Sequence, residues 1–249
     1  MGLRDALTAP SLLDGLAYAE FDRMFVKWNE NKGTRGGIHA SSVIADDFCL
    51  RAQILALHYK QALPKLAART LRIFLHGWHV HIKYQTLFQE MGIADAIEAK
   101  NHSKSWGLHF TPDAVVRLVG KRFIVEIKSV NSHRWSQLTA PPSNAVAQAQ
   151  LYMHLIAIPN ALILAENKDT QDLKLWSIQY DPAYCREYIE RLKKIKLCND
   201  VYNADGRIPK RHHTCIAISD DHAQKCPLRE VCFAAKAQRE KMSLDKETS

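Results

Sequence analysis

No stretch of the 249-residue chain is apolar over the roughly 20 residues that a membrane-spanning helix needs. The start, Met1-Gly2-Leu3-Arg4-Asp5, carries an early acid and no apolar h-region, which argues against a secretory signal. Gly2 invites a myristoylation reading, but Ala6 stands where that motif wants Ser or Thr. Internal repeats and low-complexity tracts are also lacking. With 47 % hydrophobic and 24 % charged residues, a fibrous or disordered chain is excluded too. These absences leave a cytoplasmic globular protein with no membrane partner, large enough for one domain or for a domain carrying a small accessory lobe.

What is present is positive charge. The formal net charge is +8 and the sequence pI about 9.2, a balance that favours polyanionic partners because neutralising phosphates releases counterions. Six cysteines occur, and Cys215, Cys226 and Cys232 fall within eighteen residues near the C-terminus. In a cytoplasmic chain they read as thiols or metal ligands rather than disulfides.

Residues from Ser11 to about Asn29 read as an amphipathic helix, and Gly33-Thr34-Arg35-Gly36-Gly37 as a flexible link. A second helix is expected from Ser42, as N-cap, through Val43, Ile44, Phe48 and Leu55 to Tyr59, limited by Pro64. A longer one follows, with Leu71, Phe74, Leu75, Trp78, Ile82 and Leu87 at helical spacing and Gly92 as its stop. The pattern then changes to strands, Asp113–Val119 and Arg122–Lys128, joined by Gly120-Lys121 as an antiparallel hairpin. A helix from Ala145 to about Ile158, strands Ala161–Glu166 and Leu173–Tyr180, and a charged helix from Pro182 to about Leu197 complete an α/β pattern around a small mixed sheet. The tail after about Gln238 reads as charged and mobile.

The hairpin carries the chemistry. In a strand, residues two apart share a face, so Glu126 and Lys128 project one way while Val125 and Ile127 anchor the other. Asp113 on the neighbouring strand brings a second carboxylate. Two converging carboxylates form a hard-oxygen site suited to Mg²⁺ or Mn²⁺, which can polarise a phosphate and acidify a bound water. Lys128 can stabilise developing charge or orient that water. An isolated E-x-K is commonly a solvent-facing pair on an edge strand. Pro112-Asp113 ahead of a strand, then a hairpin turn, then Glu126-Ile127-Lys128, is far more specific.

With these motifs the sequence resembles the PD-(D/E)XK nuclease superfamily. Two more place the resemblance in its RecB-like branch: Gly77-Trp78-His79-Val80-His81 on a helix ahead of the Asp strand, and Gln148-Ala149-Gln150-Leu151-Tyr152 on the helix after the E-x-K strand. The resemblance implies a restriction-endonuclease-like core, a mixed sheet flanked by helices. It implies a metal held by His81, Asp113, Glu126 and the backbone carbonyl of Ile127, with Lys128 assisting catalysis. Gln148, Tyr152 and Arg51 are then expected at the nucleic acid. Lys100, Lys104, Arg134 and Trp135 are candidates for the same track, combining charge with stacking.

The cysteines extend the resemblance to RecB-like nucleases that bind a [4Fe–4S] cluster, among them the CRISPR-associated adaptation nucleases. One ligand there comes from an early helix and three from the C-terminus, as Cys49, Cys215, Cys226 and Cys232 do here. Cys226 and Cys232 keep the five-residue gap of that pattern, but ten residues separate Cys215 from Cys226 where a short C-x-x-C is usual. Zinc, with His212, His213 or His222 replacing a thiolate, stays open as the alternative. Cys185 and Cys198 read as buried or free thiols.

The implied organisation is a helical extension over residues 1–40, a nuclease domain over 41–233 whose cluster lobe joins Cys49 to about 205–233, and a charged tail over 234–249. The implied activity is metal-dependent hydrolysis of DNA phosphodiesters, by an exonuclease acting on single strands or DNA ends, with room for a protein partner in a DNA-processing complex. The rival is a non-catalytic DNA-binding or adaptor subunit that keeps the fold.

Overall fold

The computed structural model describes residues 12–30, 37–59, 66–235 and 238. In chain order they form α1 (Leu12–Glu30), β1 (Ile38–His39), α2 (Ala40–Val43), α3 (Leu50–His58), α4 (Ala68–Glu90), β2 (Ala94–Ile97), β3 (Asn101–Ser103), β4 (Leu108–Phe110), β5 (Ala114–Leu118) and β6 (Lys121–Val130). Then follow α5 (Ser132–Gln137), α6 (Ser143–Ile156), β7 (Asn160–Asn167), β8 (Leu173–Gln179), α7 (Pro182–Asp205), α8 (Asp221–Lys225) and α9 (Arg229–Phe233). The expected Gly33–Gly36 link, the Pro64 boundary and nearly all of the charged tail lie outside the described residues.

The β5–β6 hairpin organises the main sheet. Its turn is Val119-Gly120, with φ of 44° and 74° and Leu118 paired to Lys121, one residue earlier than the sequence suggests. Two central residues at positive φ are the geometry that a twisted two-residue hairpin favours. Strand order is β2-β5-β6-β7-β8, so β6 sits in the middle. β6 and β7 run parallel and the other pairs antiparallel; α6 lies on the crossover between the two parallel strands.

Both sheet faces are covered. Val80 and Tyr84 of α4 pack on Val116, Val125, Ile127 and Leu164. On the opposite face, Leu151 and Tyr152 of α6 and Leu192 and Ile195 of α7 join a cluster with Val115 and Ile124. The chain is thus an α/β protein with a mixed sheet flanked by helices. A smaller sheet, β1-β4-β3, turns Ile38, Leu108 and Phe110 into that second cluster. Among the described residues no helix is long and apolar enough to cross a membrane.

Three helices differ from expectation. The segment from Ser42 to Tyr59 is not one helix but α2 and α3, separated at Ile44–Cys49. Arg191 of α7 explains the break, because its Nη1 donates to the carbonyls of Val43 (2.7 Å) and Ala45 (2.8 Å). Ser42 caps nothing: its hydroxyl donates to the His39 carbonyl at 2.7 Å. In α4 the buried positions are Leu71, Val80, Tyr84 and Gln85, whereas Phe74, Trp78 and Leu87 are exposed. The charged helix, α7, runs on to Asp205, where Gly206 at φ 71° ends it.

The C-terminal segment closes against α3. Leu228 and Val231 pack on Leu55, Ala56 and Tyr59. Arg51, expected at the nucleic acid, is 8 % exposed and committed to this junction. Its guanidinium donates to the carbonyls of Pro209 (2.7 Å) and Cys232 (2.8 Å) and to Cys232 Sγ (3.1 Å). Three of the five N–H groups of this guanidinium are thus used within the protein, and Arg51 ties the C-terminal segment to α3. Arg51→Ala should strand two carbonyls at a cost of about 1–3 kcal/mol. Limited proteolysis should then nick the segment after Gly206 faster than in the wild type. Arg51→Lys should not rescue it, lacking the planar fork. Wild-type protease resistance in Arg51→Ala would show that these bonds are dispensable.

Candidate active site

Alternation along β6 sends Ile124, Glu126 and Lys128 to the face covered by α6, and Val125 and Ile127 to the face covered by α4. Glu126 therefore enters a core layer: it is 1 % exposed, on the central strand. The edge-strand, solvent-facing reading of the E-x-K triplet fails here. Lys128, half-buried, donates to Glu126 Oε1 at 2.5 Å. Glu126 Oε2 is buried without any hydrogen-bond partner.

Asp113 arrives where β5 leaves β6. The last ladder pair is Ala114 with Val125, and beyond it Asp113 Oδ2 accepts from the Ile127 amide at 2.7 Å. The carboxylate stands in for the missing strand partner. A residue's N–H and C=O leave a strand on the same side, so the Ile127 carbonyl also points toward Asp113. Two further bonds fix the Asp113 carbonyl, one from Gln85 Nε2 (3.0 Å) and one from the Glu98 amide (3.2 Å). His81 of α4 completes the group with Nδ1 3.2 Å from Asp113 Oδ1. His81 thus pairs with Asp113 and Lys128 with Glu126, and the Ile127 amide links the two pairs.

The electrostatics follow from burial. Removal from water and the nearby Asp113 charge push Glu126 up to about 7, although Lys128 and His81 oppose the shift. Burial alone would lower His81, but its hydrogen bond to Asp113 and the charges of Asp113 and Glu126 outweigh that and raise it. Burial, with the Glu126 charge, pushes the Tyr152 hydroxyl up to about 12. In this arrangement Lys128 and His81 occupy carboxylate oxygens, and no set of three His, Cys, Asp or Glu side chains among the described residues is gathered closely enough for an ion. The donor chemistry nevertheless fits a divalent cation: two carboxylates and an imidazole converge, and one buried oxygen lacks a partner.

Tyr152 is 3 % exposed and packs on Phe110 with ring centroids 5.7 Å apart. Its hydroxyl accepts from Gln148 Nε2 at 2.9 Å. The two residues share a helix face as expected, but only Gln148 remains half-exposed to a ligand. Both line an open cleft of about 510 Å³ with His39, His109, Lys100 and Thr111. Lys104 and Arg134 are exposed, and Trp135 is half-buried under the ammonium of Lys174, 4.5 Å from its ring centroid. His76 and His79 are exposed away from the carboxylates. A Cβ at Gly77 would meet nothing within 4 Å, and packing does not explain that glycine.

The sequence reading missed Gln85 and Glu166. Gln85 lies one helical turn after His81, a polar side chain on a buried face, and that spacing was the available signal. Glu166, one strand over, is 2 % exposed, accepts from the Tyr84 hydroxyl at 2.5 Å and pairs with Lys83. It braces α4 against the sheet.

At the other end, Cys49, Cys215, Cys226 and Cys232 all line a single cavity of about 180 Å³. Burial, together with the neighbouring cysteines, raises the thiols of Cys215 and Cys226. His212 and His222 reach the same cavity, with their rings stacked 4.7 Å apart. Cys185 is buried elsewhere, in the main core, and Cys198 packs partly buried against it.

No protein-family model matches the sequence, and no curated protein matches it. Among solved structures, the alkaline exonuclease LHK-Exo from Laribacter hongkongensis superposes with a TM-score of 0.51 at 14 % identity, over 74 % of this chain and 93 % of that one. SSO0001 superposes with a TM-score of 0.49 at 14 % identity, over 74 % and 88 %. LHK-Exo in complex with dAMP gives 0.43 at 16 % identity, over 74 % and 93 %. At such identity the likeness is one of fold: the chain shares the α/β fold of that exonuclease.

Proposed function

We propose that the chain is a metal-dependent deoxyribonuclease that hydrolyses phosphodiester bonds, acting as an exonuclease on single-stranded DNA or DNA ends. The observation that carries this reading is the partnerless, buried Oε2 of Glu126 beside Asp113, His81 and Lys128. Leaving such an oxygen bare is costly unless a ligand completes it. The exonuclease mode leans on the fold shared with an alkaline exonuclease. A purely DNA-binding subunit has no use for a carboxylate held this way.

His81, Asp113, Glu126 and the Ile127 carbonyl would hold Mg²⁺ or Mn²⁺, which when bound polarises the phosphate and lowers the pKa of its water. Asp113 keeps its orientation through the Ile127 amide. Lys128 holds Glu126 in the resting site and is placed to orient the attacking water or stabilise charge on the phosphorus oxygens. Gln148 offers its amide at the rim of the cleft, and the net charge of +8 draws the polyanion toward it.

In the C-terminal lobe we propose a [4Fe–4S] cluster on Cys49, Cys215, Cys226 and Cys232, with zinc as the alternative. What supports this reading is that the four thiols line one cavity and match in number the ligands of such a cluster.

End-labelled single- and double-stranded DNA incubated with Mg²⁺, Mn²⁺ or EDTA tests the activity. Shortening is expected with either metal and none with EDTA. Lys128→Ala should lower cleavage about 10²–10³-fold with the circular dichroism spectrum unchanged; cutting at the wild-type rate would remove Lys128 from the site. Glu126→Gln should abolish cleavage yet stabilise the metal-free protein. The raised Glu126 pKa means that its ionisation penalty is absent below the unfolded value and fully present above about 7. In EDTA at a pH above 8, the variant should gain about 1–3 kcal/mol, or a few degrees in Tm, and the gain should shrink toward acid pH. A lower Tm would mean that the Glu126 carboxylate is already satisfied without metal.

Protein purified without oxygen should be brown and contain iron and sulfide. Replacing Cys49, Cys215, Cys226 or Cys232 by Ala should bleach it and loosen the lobe, because a cluster's binding energy is also folding energy; replacing Cys185 or Cys198 should not. Colourless protein with stoichiometric zinc would sink the cluster and leave the nuclease assignment standing.

A further inference from the structure

The small sheet aligns three histidines. His39 pairs with His109 across β1 and β4, and His102 pairs with His109 across β3 and β4. Directly paired residues share a sheet face, so the three imidazoles form a row across three strands. Ring centroids are 5.6 Å apart for His39 and His109, and 4.4 Å apart for His102 and His109, the latter stacked at an interplanar angle of 21°. Ile38, Leu108 and Phe110 occupy the other face and are buried.

The row is built in place. A Cβ on Gly37 would come within 2.8 Å of the His109 ring, and Gly37 holds φ at +79°, so a glycine is what allows His109 to lie where it does. It also lies close to the candidate site along the chain. His39 and His109 line one cleft with Gln148, Tyr152 and Thr111, and Thr111 stands two residues before Asp113. From His109 to Asp113 the chain spans at most about 14 Å, a distance that a short stretch of single strand covers.

A solvated row of polar side chains would need neither stacking nor a shared cleft. An ion site would need ring nitrogens converging on a point, whereas these rings stack and tilt against one another as a column that a further ring can extend. Burial and His102 hold His109 below the ordinary histidine value, which leaves an uncharged planar surface at neutral pH. Planar uncharged rings bind nucleobases.

We propose that His39, His109 and His102 form a stacking platform for an unpaired nucleobase a few nucleotides from the scissile phosphate, with Lys100, which lines the same cleft, taking the adjoining backbone phosphate. The platform rests on the nuclease reading and deepens it. A base can reach the row only when unpaired, so the platform selects single strands and frayed ends.

The test uses the full chain with Mg²⁺ or Mn²⁺ and an end-labelled single-stranded oligonucleotide, compared with a set in which one abasic site is walked along the strand. The wild type should lose about tenfold in kcat/KM, mainly through KM, when the base at one or two adjacent positions is removed. His109→Ala should show that loss on the intact strand and become indifferent to the abasic site. His109→Phe, which keeps a ring face, should restore the dependence. His102→Ala, on the exposed end of the row, should show a smaller rise in KM. Wild-type protein that cuts but ignores every abasic site, or His109→Ala with a wild-type KM, overturns the platform and leaves the nuclease reading intact. Wild-type protein that cuts no oligonucleotide with either metal overturns both.

Discussion

The Glu126 carboxylate sits on the central strand of the sheet, in a layer that its neighbours Ile124 and Tyr152 fill with apolar surface. Removing a charge from water is expensive unless something pairs with it. Here the pairing is half complete: Lys128 takes one oxygen and the other is bare. Several features of the fold follow from holding that group still. β5 must stop pairing at Ala114 so that Asp113 can turn its carboxylate onto the Ile127 amide. α6 must approach closely, and it does so with alanines at 145, 147 and 149, all buried. Val125 and Ile127 must anchor the strand on the α4 side, where a contiguous apolar cluster offsets the penalty incurred on the other face.

How much of this the sequence disclosed depended on whether the signal was local. The alternation of Arg122 to Lys128 is a strand pattern, and the strand is there. Its turn was misplaced by one because Val119, β-branched and 92 % exposed, adopts φ 44°, a conformation that such residues rarely take. The break between α2 and α3 was invisible because apolar spacing continues across it; what ends α2 is Arg191, nearly 150 residues away. The structural bonds of Arg51 were hidden for the same reason: its three acceptors are all more than 150 residues distant in sequence. β2, β3 and β4 have only three or four residues each, too few for periodicity to register.

The site itself was legible in its identities but not in its burial. Strand alternation and the hairpin set Asp113, Glu126 and Lys128 near one another in the reading, whereas His81 entered only through the family resemblance; the structure puts His81 beside Asp113 and Lys128 beside Glu126. That Glu126 is nearly inaccessible, and that Tyr152 is a core residue bonded to Gln148, depends on α6 crossing the central strand. The cysteines divide in the same way. Their clustering in sequence was plain, whereas the route by which Cys49 joins three residues from the other end runs through α3, Arg51 and the packing of Leu228 and Val231.

Approach to the carboxylates is therefore directional. On the α4 side, Val125 and Ile127 are packed, and Glu166, tied to Lys83 and Tyr84, locks the helix onto the sheet. That side offers rigidity and no path. On the other side Gln148 and Tyr152 of α6 line a cleft together with Thr111, His109 and Lys100 of the small-sheet region. The small sheet thus walls a cleft on the face of the main sheet that α6 covers. Asp113 joins the two: it follows β4 by only two residues, Thr111 and Pro112, and its carboxylate ends the pairing of β5 with β6.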